Sequence, residues 1–83
     1  MRRSGSTWAV GARAIAVAEL RDASADELEV VWDGTERTVR LDGEPSLSSV
    51  PELERLAAGR FDTWVARARR LDGDLYEVEV EPL

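Results

Sequence analysis

The stretch LEVVWDGTERTVRL, residues 28–41, decides how this chain folds. Leu28, Val30 and Trp32 alternate with Glu29, Val31 and Asp33. Beyond Asp33-Gly34, Arg37, Val39 and Leu41 alternate with Glu36, Thr38 and Arg40. Successive side chains of a strand leave opposite faces of the sheet, so a period of two marks a strand with one face toward a core. Asp-Gly between two such runs is a two-residue hairpin signal, because tight hairpin turns need positive φ, which glycine adopts without a Cβ penalty. Residues 28–41 are therefore predicted to form a β-hairpin, with Asp42-Gly43-Glu44-Pro45 as the turn that closes it.

The pattern recurs downstream. From Phe61 to Leu71, Trp64, Ala66 and Ala68 share one face and Val65, Arg67 and Arg69 the other. Asp72-Gly73 supplies a second hairpin turn. Tyr76, Val78 and Val80 then point inward while Glu77, Glu79 and Glu81 point outward, and Pro82 ends the pairing. Between the hairpins, residues 46–59 carry helix signals. Ser49 and Glu52 have the spacing of a capping box, and Pro51 sits in the first turn, where its missing N–H costs nothing. Val50, Leu53, Leu56 and Ala57 form one apolar stripe, and Gly59 suits a left-handed C-terminal cap. The predicted helix covers about 50–58.

Upstream, every even position from Trp8 to Leu20 is apolar. This favours one long strand, bent at Gly11, over the helix that its alanine content would otherwise support. Residues 1–6 read as a flexible tail, and residues 7–83 as a single small globular domain. The predicted order is β-β-β-α-β-β: a mainly β (α+β) domain built on a small antiparallel five-stranded sheet or partly open barrel. This order resembles that of the OB-fold, a five-stranded barrel with a helix between strands three and four. The resemblance covers most of the chain and is one of element order, carried by no motif. It implies a surface for single-stranded nucleic acid.

Composition narrows the chemistry. The 83 residues include no His and no Cys, and reading along the chain finds no Lys, Asn or Gln either. All eleven basic residues are therefore Arg, a usage that fits a GC-rich bacterial genome. Without His, Cys or Lys there is no Ser-His or Cys-His nucleophile pair, no Schiff-base lysine and no Cys/His zinc site. Neither a GxxxxGK[ST] nor a GxGxxG loop occurs. The Asp72-Gly73-Asp74 fragment is turn chemistry, since a calcium loop needs six or more oxygens in register. The chain is thus expected not to be an enzyme and to carry no cofactor, no metal and no small-molecule substrate. No apolar run approaches the length of a membrane span, and together with the missing cysteines this points to the cytoplasm.

A net charge of −6 disfavours nucleic acid and anionic membranes as partners. One basic cluster runs against it. Arg55, Arg60, Arg67, Arg69 and Arg70 lie within sixteen residues, interleaved with Phe61 and Trp64, and Asp62 is the one acid among them. Basic residues with aromatics are the ingredients of a single-stranded nucleic-acid surface. The competing reading sets Arg67 and Arg69 across the hairpin from Glu77 and Glu79, as ordinary cross-strand ion pairs. Three tryptophans, Trp8, Trp32 and Trp64, are expected in the core. Ile15, Val17, Val31 and Val65 fall on outward faces, and such residues in a cluster suggest a protein interface. The candidate binding residues are therefore Arg60, Trp64, Val65, Arg67, Arg69 and Arg70. The expected partner is a protein, a second copy of the chain included, with single-stranded nucleic acid as the alternative.

Overall fold

Both hairpins form as the alternation requires. A computed structural model of the chain describes residues 14–21 and 23–83. Six strands, β1 (Ala14–Glu19), β2 (Glu27–Trp32), β3 (Arg37–Leu41), β4 (Glu44–Ser46), β5 (Trp64–Asp72) and β6 (Leu75–Pro82), and one helix, α1 (Pro51–Ala58), make up the fold. The strands build a single antiparallel sheet in the order β1-β6-β5-β2-β3-β4. The two hairpins lie side by side at its centre, joined by β2–β5 pairing that sets Val30 against Ala66 and Leu28 against Ala68. The expected tail over residues 1–6, and the part of the expected long strand that holds Trp8 and Gly11, lie outside the described residues. No helix among the described residues is long and apolar enough to cross a membrane.

The mainly β class holds, with two corrections. The sheet has six strands, not five, because Glu44 and Pro45, read from the sequence as turn, and Ser46, read as the start of the helical segment, pair with β3. Pro45 is tolerated there because β4 is an edge strand, where a missing N–H breaks no ladder. The sheet is also open, so the OB-like barrel does not form. Closure would require β1 and β4 to meet, but they are the two opposite edges, and β4 has only three residues.

Turn geometry follows local chemistry. Leu41 pairs with Glu44, leaving Asp42 and Gly43 as a two-residue connection with φ of 51° and 85°. Positive φ at both positions is the turn that matches the natural strand twist. The Asp42 carboxylate accepts N–H groups of Asp26 and Glu27 at 3.1 and 3.0 Å, tying this turn to the start of β2. The first hairpin is looser than expected. Trp32 is paired with Arg37, so residues 33–36 form a four-residue loop. Asp33 accepts the N–H groups of Glu36 and Thr35 at 2.9 and 2.8 Å, and these donors hold its carboxyl below the usual carboxylate range.

One face of the sheet carries the core. Leu28, Val30, Val39, Trp64, Ala66, Ala68, Tyr76, Val78 and Val80 are buried on it, and Leu53 and Ala57 of α1 close over them. The helix packs on β5, where Ala66 and Ala68 are small enough to admit close approach. The expected stripe is narrower than predicted, since Leu56 is exposed. The capping box does not form. The N-cap is Val50, whose N–H is bonded by Glu54 at 3.0 Å, while Glu52 accepts the Arg21 N–H at 2.9 Å and fastens the helix start to the segment after β1.

Gly59 closes the helix at φ −74°, ψ −9°, right-handed and not the left-handed cap that was expected. A Cβ there would meet the Arg55 and Leu56 carbonyl oxygens at 3.5 and 3.7 Å, ordinary contact distances. Gly59→Ala is therefore expected to stabilise the domain by about 0.4–1 kcal/mol, through the lost freedom of the unfolded chain. The same change at Gly43, with φ +85°, is expected to cost about 1 kcal/mol or more. Thermal unfolding of the two variants against the parent checks the opposite signs.

Candidate functional site

The second face of the sheet is covered by no element among the described residues. Alternation assigns its side chains. Ile15 and Val17 come from β1, Glu77, Glu79 and Glu81 from β6, Val65, Arg67 and Arg69 from β5, Glu27, Glu29 and Val31 from β2, and Arg40 from β3. Read across the sheet, the rows run apolar, acidic, basic, acidic, basic. The charged rows match because the antiparallel register sets the arginines of β5 between the glutamates of β6 and β2, while Val65 and Val31 pair at one end.

The charges are mostly spent on each other. Arg67 faces Glu79 in register and bonds Glu29 at 3.1 Å and Glu81 at 3.0 Å, bridging three strands. Arg69 reaches Glu77 at 3.0 Å. These pairs stand in solvent, where each is worth about 0–1 kcal/mol, so they set register and surface polarity more than stability. Glu27, Glu29, Arg40, Arg67, Arg69 and Glu77 line most of a shallow concavity of about 460 Å³. The described residues contain no group of three side chains able to hold a metal ion.

The six candidate binding residues do not form one surface. Val65, Arg67 and Arg69 share the open face, with Val65 half-buried opposite Val31. Trp64 is turned to the opposite, covered face and is buried. Arg60 follows the helix, exposed, and its side chain makes no bond among the described residues. Arg70 lies on the covered side. It bonds the Asp26 carboxylate at 2.9 Å, the Ala25 carbonyl at 3.2 Å and the Gly73 carbonyl, and its guanidinium stands 5.1 Å from the centre of the Tyr76 ring. This arginine fastens the loop before β2 onto the sheet. Burial, opposed by the Arg70 charge, pushes the Tyr76 phenol above its usual value of 10.

Sequence reasoning identified the facing of Arg67 and Arg69 toward the glutamates of the partner strand and the outward position of Ile15 and Val17, but not which ion pairs form or how much β1 exposes. Ile15 is 57% and Val17 58% exposed, and among the described residues β1 is an edge strand paired only with β6. The signal was present in the chain. Residues 14–18 contain no charge and no proline, the usual devices that guard an edge. The other edge is guarded, since β4 is short and contains Glu44 and Pro45. Comparison of the chain with family models, with curated proteins and with solved structures finds no match.

Proposed function

We propose that this chain is a non-catalytic assembly module of the bacterial cytoplasm, which pairs with a second copy of itself along the β1 edge and the open face beside it. The carrying observation is β1: an edge strand among the described residues, uncharged over residues 14–18, with Ile15 and Val17 both more than half exposed. An edge strand presents a row of backbone N–H and C=O groups ready to pair, and antiparallel addition of a second strand satisfies them. Around a two-fold axis at Ala16, Ile15 of one copy falls opposite Val17 of the other on the open face, and Ala16 meets Ala16 on the covered side. Cross-strand pairs of β-branched residues favour that register. Glu79 and Glu77 of β6 stand directly opposite Ile15 and Val17 on the side away from the added strand.

The alternative reading, a single-stranded nucleic-acid binder using Arg60, Trp64, Arg67, Arg69 and Arg70, draws no support from the geometry. Its one tryptophan is in the core, and Arg67 and Arg69 are bonded to glutamates on the other face. Stacking and phosphate contact require both on one surface.

Size-exclusion chromatography with light scattering over a range of concentrations tests the proposal. The parent is expected to be a dimer that dissociates on dilution. The double variant Ile15→Lys with Val17→Lys is expected to raise the dissociation constant by about 100-fold or more, with an unchanged far-UV spectrum, because both side chains are exposed in the isolated chain. A parent that stays monomeric at every concentration would sink the self-pairing.

A further inference from the structure

A second cavity, independent of the open face, sits where the end of β2, the turn after α1 and the start of β5 meet. It has a volume of about 380 Å³ and is lined by Trp32, Phe61 and Trp64 together with Asp62, Glu54 and Arg37. These side chains come from three separate segments, and the size falls in the range of small-ligand sites, about 300–1,000 Å³. Trp32 and Phe61 are only partly buried, packed against the core without being closed into it. A chain this short has little apolar surface to spare, so two large rings left open to a cavity are a costly arrangement unless something else covers them.

The charges lining the cavity select what that could be. Arg37, set beside Trp32 by the pairing of β2 with β3, bonds Glu54 at 3.2 Å, so these two groups neutralise each other. Asp62 is exposed and has no bonded partner among the described residues. One uncompensated carboxylate therefore lines a cavity that two partly exposed aromatic rings, Trp32 and Phe61, open onto. Ring faces carry negative potential and attract a cation whose own surface is apolar. An anion would meet Asp62, a hydrated metal ion would find too few oxygens to replace its water, and a neutral apolar molecule would leave the carboxylate unused.

The geometry points to a binding site for an organic ammonium group, held by cation–π contact with the partly exposed rings of Trp32 and Phe61, beside the buried Trp64, and neutralised by Asp62. A free quaternary ammonium ion and the side chain of a lysine share this chemistry, and the two can be told apart by titration. The chain has three indole N–H groups, so proton–nitrogen correlation spectra of the intact protein give three indole signals to follow. Tetramethylammonium is expected to move those of Trp32 and Trp64 with a dissociation constant on the order of millimolar. Its neutral isostere tert-butanol, and sodium chloride at matched ionic strength, are expected to leave them in place. A blocked lysine derivative run in parallel identifies the source, since whichever ammonium binds more tightly marks the class of ligand.

Asp62→Asn is expected to weaken tetramethylammonium binding about three- to fivefold. Phe61→Leu, which keeps the apolar volume and removes a ring, is expected to weaken it while leaving the folded spectrum intact. Both sites are exposed or half-buried, so neither variant threatens the fold. Equal shifts with tert-butanol, no shift with either ammonium, or binding unchanged by both substitutions would overturn the assignment. The self-pairing of β1 plays no part in the titration, so the two readings succeed or fail separately.

Discussion

Tyr76→Ala is expected to remove most of the stability of this domain. The ring is fully buried at the centre of the covered face. Truncating a buried aromatic to alanine costs about 3–5 kcal/mol, from lost transfer energy and the cavity left behind. Two further interactions go with the ring. The phenol O–H donates to the buried Ala25 carbonyl at 2.6 Å, and the Arg70 guanidinium rests over the ring. A chain of 83 residues holds about 4–12 kcal/mol in total, so this single change consumes much or all of it. Tyr76→Phe isolates the hydroxyl and is expected to cost only about 1 kcal/mol, because Arg70 also donates to the Ala25 carbonyl and keeps it satisfied. Urea unfolding of the three proteins measures both steps. An alanine variant with the parent's midpoint would show that the loop before β2 is not held from below by this ring.

Leu53→Ala is the second large effect, at about 2–5 kcal/mol. Leu53 is fully buried and is the main side chain through which α1 docks on the sheet. The helix has eight residues, too few to persist alone in water, so its existence depends on that docking. Losing it would uncover Ala66, Ala68 and Val30 on a sheet whose other face already stands open. The expected result is a lower unfolding midpoint, a reduced helical signal and concentration-dependent aggregation. Leu56→Ala, three positions along and exposed, is the control, with an expected change of about 0.5 kcal/mol or less. Equal losses at Leu53 and Leu56 would mean that the helix faces the sheet differently.

Much of this architecture was legible along the chain, for local reasons. Strand alternation reports only which residues share a face, and in residues 28–41 and 64–81 that report was correct; the register was not legible, because the first hairpin closes through a four-residue loop and the second carries a bulge, so Val30 meets Val39 and Ala68 meets Val78. Pro51 and the spacing of Val50, Leu53 and Ala57 located the helix within a residue. The hydrogen bonds at its start were misread because the N-cap is Val50, one residue later than Ser49, its N–H is taken by Glu54, and Glu52 is taken by the distant Arg21 N–H. β4 escaped notice because three residues around a proline carry no periodicity, and only the partner strand gives them an identity.

By itself, then, the sequence determined the strand faces, the two hairpins, the position of the helix and the absence of His, Cys and Lys chemistry. All of these follow from nearest-neighbour sterics, turn preference and residue inventory. Only the tertiary structure decided the rest. The β2–β5 pairing that makes one open sheet in place of a barrel joins residues more than thirty positions apart, and no local pattern encodes it. Alternation along β5 sends Arg67 and Arg69 to the open face and Arg70 to the covered side, and the tertiary fold supplies Arg70 with its anchor on Asp26. It also gathers Trp32, Phe61 and Trp64 around a single cavity and leaves β1 at an edge. Side-chain chemistry is carried by each residue alone, whereas a site requires convergence in space, and in this chain convergence is produced by long-range strand pairing.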